Sequence, residues 1–269
     1  MIQVDIRSRN DRYQLVDSFR SNRHKRTKHR VVFAEGVAIV NAILASGTAI
    51  RSIVVPRERS LSDWATGVIE TSNADELLRM DDELYAELSD RSNPTELIVL
   101  AERPANTLDA LDLDALDLVT VLDRPSSPGN LGTCVRSCNA FGSQAVVVLG
   151  HAADVWDPQS LRASLGTVFT TPVIEVDSPA LLLSWIDRWR AANEAVRVFG
   201  TDSTGSTLIG QEHVRCPAVV VFGNEATGLS ATLRESVDEI VSIPMSGTVN
   251  SINLASALTV TLYAMRSKG

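Results

Sequence analysis

The residues that decide the fold are Val219-Val-Val-Phe-Gly-Asn-Glu-Ala-Thr-Gly-Leu-Ser230. The run of β-branched residues ends abruptly at Gly223, and an apolar run bounded by glycine is typical of a buried parallel strand. A predicted helix follows the glycine-containing loop, so backbone N–H groups of the loop lie where a ligand can meet them. This stretch therefore predicts a strand, a ligand-binding loop and a helix in succession.

The same pattern recurs in Ser242-Ile-Pro-Met-Ser-Gly-Thr-Val-Asn-Ser-Ile-Asn-Leu-Ala-Ser256. A short strand at 240–243 is stopped by Pro244, a small polar loop follows, and an apolar helix begins at about Asn253. Two strand ends thus deliver two loops to one edge of a sheet. Ligands of open α/β sheets bind at that edge, so we expect the functional site there.

Strands and helices alternate through the residues that precede these two stretches. The pattern predicts strands at 118–122, 145–149, 172–176, 196–200, 218–222 and 239–243, and helices at 133–141, 160–165 and 180–195. Alternation of this kind favours a parallel sheet with helices on both faces. The fold class is therefore α/β, and we assign residues 118–269 to this domain.

A smaller α/β unit is predicted for residues 1–102. Helical patterns cover 8–30, 37–46, the segment that starts at Asp63, 70–80 and 82–88, and strands cover 31–34, 50–55 and 97–101. Residues 103–117 alternate Leu and Asp after Pro104, a composition that favours a solvated linker. We place the domain boundary in that linker.

Charge is distributed unevenly along the chain. The net charge is −8, but residues 1–30 hold nine Arg and Lys against three Asp, a charge of +6 that leaves −14 for the rest. A basic arm over residues 7–30 on an acidic body indicates a polyanionic partner that is met at one end. A solvated helix face is the alternative.

Several classes of protein find no support. The three cysteines form no CxxC pair, and no two histidines have metal-ligand spacing. The N-terminus has no apolar signal core, and the longest apolar stretch, Ile252 to Met265, is too short to span a bilayer. We expect a cytoplasmic protein with no metal and no membrane partner.

Three glycine loops follow predicted strands, at 128–132, 223–228 and 244–253. None is a Walker A motif and none reads Gly-x-Gly-x-x-Gly, so a simple nucleotide-phosphate site is unsupported. The loops carry polar residues that a turn does not require, namely Asn130, Glu225, Ser251 and Asn253. Arg136 follows on a helix with small and apolar neighbours, which predicts a buried guanidinium with an anionic partner; a surface arginine is the alternative.

Taken together, these loops resemble the three motifs of the SpoU branch of the SPOUT RNA methyltransferases. Residues 123–142, with Asn130, Gly132 and Arg136, are similar to motif 1, residues 222–230 to motif 2 and residues 242–254 to motif 3. Three more stretches, at 9–27, 124–130 and 150–158, resemble ribosomal-RNA methylases of the antibiotic-resistance type. Three departures are Ser127, where motif 1 has an acidic residue or Asn, Asn224, where a small residue is common in motif 2, and Ile252, where motif 3 has Leu.

The resemblance implies an RNA ribose 2′-O-methyltransferase that uses S-adenosyl-L-methionine. It also implies a deep trefoil knot in the C-terminal domain, a homodimer formed through that domain, and an RNA-binding N-terminal domain. The residues that would line the cofactor pocket are Thr201, Gly223, Ile243, Met245 and Ile252. The polar catalytic set would be Asn130, Arg136, Glu225, Ser251 and Asn253. The basic arm would grip RNA phosphates through Arg9, Arg12, Arg23, Lys25, Arg26 and Lys28.

The favoured substrate is 23S ribosomal RNA. Transfer RNA is one alternative, and a non-catalytic RNA-binding or ribosome-assembly factor with the same fold is another. An NAD-type α/β enzyme is a third, and the missing Gly-x-Gly-x-x-Gly speaks against it.

Overall fold

The computed structural model describes residues 1–89, 93–211, 214–249 and 251–266. The chain forms two compact units. The first comprises Met1–Pro104 and Trp156–Thr170, and the second comprises Ala105–Val155 and the chain from Thr171 onward.

Among the described residues up to 104, the chain forms five strands and five α-helices. They are β1 (Ile2–Ile6), α1 (Asp11–Ser21), α2 (Arg23–His29), β2 (Val31–Glu35), α3 (Val37–Ser46), β3 (Ile50–Pro56), α4 (Asp63–Thr71), β4 (Glu76–Met80), α5 (Asp82–Leu88) and β5 (Ile98–Glu102). The strands form one sheet in the order β1-β4-β3-β5-β2. β5 is antiparallel to both of its neighbours, and the other adjacent pairs are parallel.

Two strands of this sheet differ from the sequence prediction. β1 is not predicted, although Ile2, Val4 and Ile6 alternate with polar residues. Residues 76–80 are predicted to be helical, and this is wrong, because they form β4 between β1 and β3. Glu, Leu, Arg and Met favour helices locally, but hydrogen bonding to a strand on each side overrides that preference.

The predicted helix over residues 8–30 is divided into α1 and α2. Asn22 lies at the break, where its Oδ1 accepts a hydrogen bond of 3.1 Å from the backbone N–H of Lys25 and caps α2. The buried face of α1 consists of Tyr13, Val16 and Phe19. Leu15, in the same helix, is exposed.

In the part of the chain after 104 that the structure describes, there are seven strands and five α-helices. They are β6 (Leu118–Asp123), α6 (Pro128–Ala140), β7 (Ala145–Leu149), α7 (Pro158–Ser164), β8 (Val173–Val176), α8 (Pro179–Ala192), β9 (Arg197–Thr201), β10 (Thr207–Leu208), β11 (Ala218–Phe222), α9 (Ala231–Ser236), β12 (Glu239–Ser242) and α10 (Leu254–Arg266). The strands form a seven-stranded sheet in the order β10-β12-β9-β11-β6-β7-β8.

Every pairing in the second sheet is parallel, as the sequence predicts. Its central strands are buried along their whole length because apolar side chains of β6, β7 and β11 meet covering layers on both faces. Trp185 and Trp189 of α8 pack on one face of this core. β10, a two-residue edge strand, is not predicted.

The predicted linker is less solvated than its composition suggests. Leu108, Leu111 and Leu113 pack against the core of the second unit, and Leu116 is buried there. The aspartates between them are exposed. The Leu-Asp alternation therefore produces an amphipathic segment, with the apolar side on the protein and the acidic side in water.

The segment Trp156–Thr170 belongs to the first unit although it lies between β7 and β8 in the sequence. Within that unit α7 contacts β2, and Gly166 packs closely on α3. A Cβ at Gly166 would lie 2.7 Å from the Cβ of Ala42, so only glycine fits. The predicted division of the chain assigns these residues to the second domain, since a short loop and one helix carry no local signal of their packing partner.

Candidate active site

The candidate active site lies at the carboxyl edge of the second sheet. The strands β6, β9, β11 and β12 are parallel, so the loops that follow them leave from one edge. These loops begin after Asp123, Thr201, Phe222 and Ser242. The topology therefore gathers all three predicted motifs, and the loop after β9, at one place.

A cavity of about 690 Å³ opens among these loops. Nine of the ten residues predicted to be catalytic or cofactor-binding line it: Asn130, Thr201, Gly223, Glu225, Ile243, Met245, Ser251, Ile252 and Asn253. The tenth, Arg136, does not. Asn250 of the third motif lies outside the described residues.

A tight turn after β11 forms one wall of the cavity. Asn224 and Gly228 exchange backbone hydrogen bonds of 3.0 and 2.9 Å, and the Asn224 side-chain oxygen accepts from Ala226 N at 2.9 Å. A Cβ at Gly223 would collide with the backbone of Gly228. Glycine at 223 is therefore required for the turn to close, and the turn presents Glu225 to the cavity mouth.

Glu225 holds the start of α6. Its Oε1 accepts a hydrogen bond of 3.0 Å from Asn130 Nδ2. Its Oε2 accepts from the backbone N and the Oγ of Ser126, at 3.0 and 2.9 Å. One carboxylate thus joins motif 2 to motif 1 through three bonds.

Asn253 continues this chain of hydrogen bonds. Its Oδ1 caps α10 by accepting from Ala255 N at 2.9 Å, and its Nδ2 donates to Asn130 Oδ1 at 3.0 Å. Because the helix terminus requires the oxygen of Asn253, the amide nitrogen must face Asn130, and the nitrogen of Asn130 must then face Glu225. The orientation of all three side chains is set by the N-terminus of α10.

The charge of Glu225 follows from these contacts. Burial raises the pKa of Glu225, but hydrogen bonds from Asn130 and Ser126 favour the ionised form and outweigh burial, so the pKa lies below its ordinary value. The group is a fixed anion at neutral pH. It can orient donors around it, and it is a weak proton acceptor.

Arg136 is exposed, so the prediction of a buried guanidinium with an anionic partner is wrong. The buried face of α6 consists of Leu131, Cys134, Val135 and Cys138, and position 136 lies on the opposite face. Within the described residues no hydrogen bond or ion pair holds the Arg136 side chain. It lies six residues after Asn130, about 9 Å further along the helix axis.

The basic arm belongs to the first unit, and five of its six predicted RNA contacts can reach solvent. Arg9, Arg12, Arg23 and Lys28 are exposed, and Lys25 is half-buried. Arg9 pairs with Glu87 at 2.6 Å and Arg12 with Glu76 at 2.8 Å, both at the surface. Surface ion pairs of this kind contribute little to stability.

The prediction that Arg26 contacts RNA is wrong, because its side chain is only 2 % exposed. Its Nη1 donates to the carbonyls of Phe19 and Arg20 at 2.9 and 2.8 Å, and its Nη2 contacts Asp157 Oδ2 at 3.2 Å. The guanidinium is therefore used to satisfy the carboxyl end of α1 within the first unit. It is not available to an RNA phosphate.

The sequence predictions omit Asp202, which lines the cavity, and Arg234, which forms an ion pair with it. Asp202 lines the cavity after β9, accepts from Thr204 N at 2.8 Å and pairs with Arg234 at 3.1 Å. Burial raises its pKa, and the bonds from Thr204 and the charge of Arg234 outweigh burial and lower it. The cluster Thr201-Asp-Ser-Thr-Gly205 after a strand is the signal that could have identified this wall.

The fold and the site define an α/β protein whose ligand site is built from three motif loops of a parallel sheet. Residues 117–263 match the model of the SpoU rRNA Methylase family, and residues 10–99 match the SpoU L30e-like domain. The chain belongs to the SpoU rRNA Methylase family.

Relatives with assigned activities extend over almost the whole chain. The 23S rRNA (uridine(2479)-2′-O)-methyltransferase of Streptomyces viridochromogenes is 36 % identical over 259 residues, which cover 96 % of this chain and 90 % of that protein. The 23S rRNA (guanosine(2553)-2′-O)-methyltransferase RlmP of Bacillus subtilis is 27 % identical over 243 residues, covering 90 % and 91 %.

A solved structure is similar over the same extent. The crystal structure of the SpoU methyltransferase AviRb from Streptomyces viridochromogenes, in complex with the cofactor AdoMet, matches with a TM-score of 0.89 at 35 % identity. The match covers 97 % of this chain and 98 % of that one.

In the described ranges no helix has both the length and the apolarity to cross a bilayer.

Proposed function

We propose that this protein transfers a methyl group from S-adenosyl-L-methionine to a ribose 2′-hydroxyl of 23S ribosomal RNA. The observation that carries the proposal is the hydrogen-bonded set Glu225, Asn130 and Asn253 at the mouth of the cavity. Each residue comes from a different motif of the family. Two relatives that cover most of the chain are named as 23S rRNA 2′-O-methyltransferases, which favours ribosomal RNA over transfer RNA.

The cavity fits the cofactor in size and in chemistry. Its volume of about 690 Å³ is within the range of small-molecule sites. Ile243, Met245 and Ile252 offer apolar contact to a nucleobase, and the turn that closes at Gly223 lines the same cavity. Thr201 would complete the cofactor set that the motifs predict, and Asp202 adds an anion at the rim.

When bound, S-adenosyl-L-methionine supplies an electrophilic methyl group. A ribose hydroxyl is a poor nucleophile, so the chain has to orient it and stabilise the charge that develops on its oxygen. Asn130 and Asn253, fixed by Glu225 and the α10 terminus, orient the ribose, and Ser251 supplies a further hydroxyl at the mouth. Glu225 itself stays ionised and positions its partners.

Arg136 supplies the positive charge. A guanidinium stays protonated in proteins, so its role is to stabilise the developing alkoxide and to hold a neighbouring phosphate, while the proton leaves to phosphate or water. Its exposure supports the proposal that it acts on the cavity of a partner subunit in a homodimer. Such a homodimer forms through the second unit.

Mixed dimers test the contribution of the partner. An Arg136→Ala chain paired with an Asn253→Ala chain leaves one complete site if Arg136 acts across the dimer, and none if it acts within its own chain. We therefore expect each homodimer to be nearly inactive and the mixed dimer to recover about half of the wild-type kcat, since one of two sites is intact. An inactive mixed dimer would place Arg136 in its own site.

The first unit is proposed to bind RNA. Arg9, Arg12, Arg23, Lys25 and Lys28 contact phosphates there, which gives an affinity that falls steeply with salt. We also propose that residues 1–102, together with 156–170, function as the RNA-binding domain and that the rest of 118–269 functions as the methyltransferase domain. The methyltransferase domain contains the trefoil knot of the family, and the enzyme acts in the cytoplasm. A role in antibiotic resistance stays a prediction.

Transfer of tritium from labelled S-adenosyl-L-methionine tests the function directly. Unmodified 23S rRNA, 50S particles and transfer RNA are offered in parallel. We expect label in 23S rRNA, free or in the particle, and primer extension then maps the nucleotide. Label in transfer RNA alone would overturn the substrate, and cofactor binding with no transfer to any RNA would favour the non-catalytic binding protein.

A further inference from the structure

Arg124, which immediately follows β6, has an unusual backbone. Its φ is +55°, in the left-handed region that side chains with a Cβ avoid and glycine adopts freely. Such conformations persist where the surroundings over-determine them, and they are concentrated at functional sites. Arginine at this position adds a guanidinium, which glycine could not supply, and that guanidinium contacts the neighbouring segments.

The Arg124 side chain contacts three neighbouring residues, Asp123, Gly228 and Gly150. It binds Asp123 with Nε and Nη2, at 3.0 and 3.2 Å, and Asp123 is buried with a side chain only 2 % exposed. The same Nη2 donates to the carbonyl of Gly228 at 3.2 Å. The stem packs over Gly150, where a Cβ would lie 3.2 Å from Arg124 Cγ, so the neighbouring strand end leaves room for this side chain.

Two more bonds join the same two segments. Asp123 Oδ2 accepts from the backbone N of Ser230 at 2.7 Å, and Asn224 Nδ2 donates to the carbonyl of Arg124 at 2.7 Å. Residues 123 and 124 thus bind the turn at 224–228 from both of its ends. Glu225 lies within that turn, and its carboxylate holds Asn130.

We propose that Arg124 is a positioning residue for methyl transfer: with Asp123 it fixes the turn that carries Glu225, and so the place of Asn130 at the reacting hydroxyl. The inference rests on the proposed function and deepens it. It differs from simple neutralisation of a buried carboxylate, because the guanidinium also bridges to Gly228 and so ties the turn to β6.

The test compares Arg124→Gly, Arg124→Lys, Asp123→Asn and the double variant Asp123→Asn with Arg124→Gly. Arg124→Gly relieves the backbone and removes the bridge. We expect its kcat to fall by about 10- to 100-fold, because small misplacements of reacting groups cost rates of that order. The KM for RNA should change by less than about threefold, since the predicted RNA contacts are untouched. Added guanidinium, well below denaturing concentrations, should restore part of the lost rate.

Deuterium exchange gives a readout that does not depend on activity. The peptide over residues 223–230 should exchange faster in Arg124→Gly than in wild type, while the β7 peptide at 145–149 stays unchanged. Leu165→Gly is the control for backbone relief, because Leu165 also has a positive φ, of +51°, and lies in the first unit. Its kcat and its exchange at 223–230 should equal those of wild type.

Three results would overturn the proposal. The first is wild-type kcat together with wild-type exchange at 223–230 in Arg124→Gly. The second is full recovery of kcat in the double variant, which would reduce Arg124 to a counter-charge. The third applies if Arg124→Gly does not fold. Arg124→Lys is then measured, and an Arg124→Lys protein with the same kcat and the same exchange at 223–230 as wild type would contradict a bridging role. If the wild-type protein transfers no methyl group to RNA, the proposed function is refuted. Deuterium exchange at 223–230 in Arg124→Gly would still show whether Arg124 fixes the turn.

Discussion

Asn253 donates a hydrogen bond of 3.0 Å from Nδ2 to Asn130 Oδ1 while its own Oδ1 caps α10. The first turns of two helices, which are separated by more than a hundred residues in the sequence, are thereby joined through one side chain. An amide is needed for this because it presents an acceptor and a donor at once. The cap fixes which end faces Asn130.

Asn253→Asp separates capping from catalysis. Aspartate caps a helix as well as asparagine, so the cap is kept, and we expect the free energy of unfolding to fall by only about 1 kcal/mol, from the lost hydrogen bond to Asn130. It has no donor for Asn130, so kcat should fall by about 100-fold. Thermal melts and steady-state kinetics measure the two effects. Asn10→Asp, at the cap of α1, is the matched control and should leave both unchanged; a parallel loss there would point to capping itself.

Glu225→Gln tests the charge of the carboxylate. The pKa of Glu225 is depressed in the folded protein, so its ionisation adds stability above the unfolded value of about 4.5, and this is lost as the pH falls through the lower folded pKa. The melting temperature of Glu225→Gln should therefore lie below that of wild type above about pH 5 and converge with it in more acidic solution. A constant difference across that range would contradict the assignment.

The same substitution tests whether Glu225 is a base. Because the carboxylate is held ionised, the pH–rate profile of wild type should show no limb from Glu225 above about pH 5. The variant should lose rate at every pH, since Gln offers one acceptor where Ser126 and Asn130 need two. A rate limb that vanishes in Glu225→Gln would identify it as a proton acceptor instead.

Gly223→Ala and Gly67→Ala form a matched pair. A Cβ at Gly223 collides with the backbone of Gly228, so the substitution should destabilise by about 2–3 kcal/mol and weaken cofactor binding by at least about 10-fold. Gly67 lies in α4 with nothing within 4 Å, so alanine there should stabilise by about 0.5–1 kcal/mol. Denaturant unfolding and calorimetry with the cofactor distinguish the two sites.

Arg26 and Lys28 are two residues apart and should behave in opposite ways. Arg26→Met removes buried charged hydrogen bonds to Phe19, Arg20 and Asp157, and should cost about 2–3 kcal/mol of stability with an unchanged salt slope for RNA binding. Lys28→Ala should leave the melting temperature unchanged and reduce that slope by about 0.7–0.9. If Arg26→Met also reduces the salt slope of RNA binding, at a temperature where the variant is folded, Arg26 does contact RNA.

Local patterns predict the second unit better than the first. The strands β6, β7 and β11 are apolar runs that only a doubly covered parallel sheet can bury, and each ends at a residue that forces a turn. β4 is missed because Glu76, Leu77, Leu78, Arg79 and Met80 suit a helix, and only the strands on either side decide otherwise.

The sequence by itself determined the parallel sheet, the three loops at its carboxyl edge and four polar residues that line the cavity, Asn130, Glu225, Ser251 and Asn253. These follow from hydrophobic periodicity, from glycine and proline as chain breakers, and from the chemistry of single residues. All three can be read within a few neighbouring positions. Only the tertiary structure decided that Arg26 is buried, that Arg136 is exposed and that residues 156–170 pack in the first unit. Burial of an individual side chain depends on which distant surface covers it, and no local pattern encodes that partner.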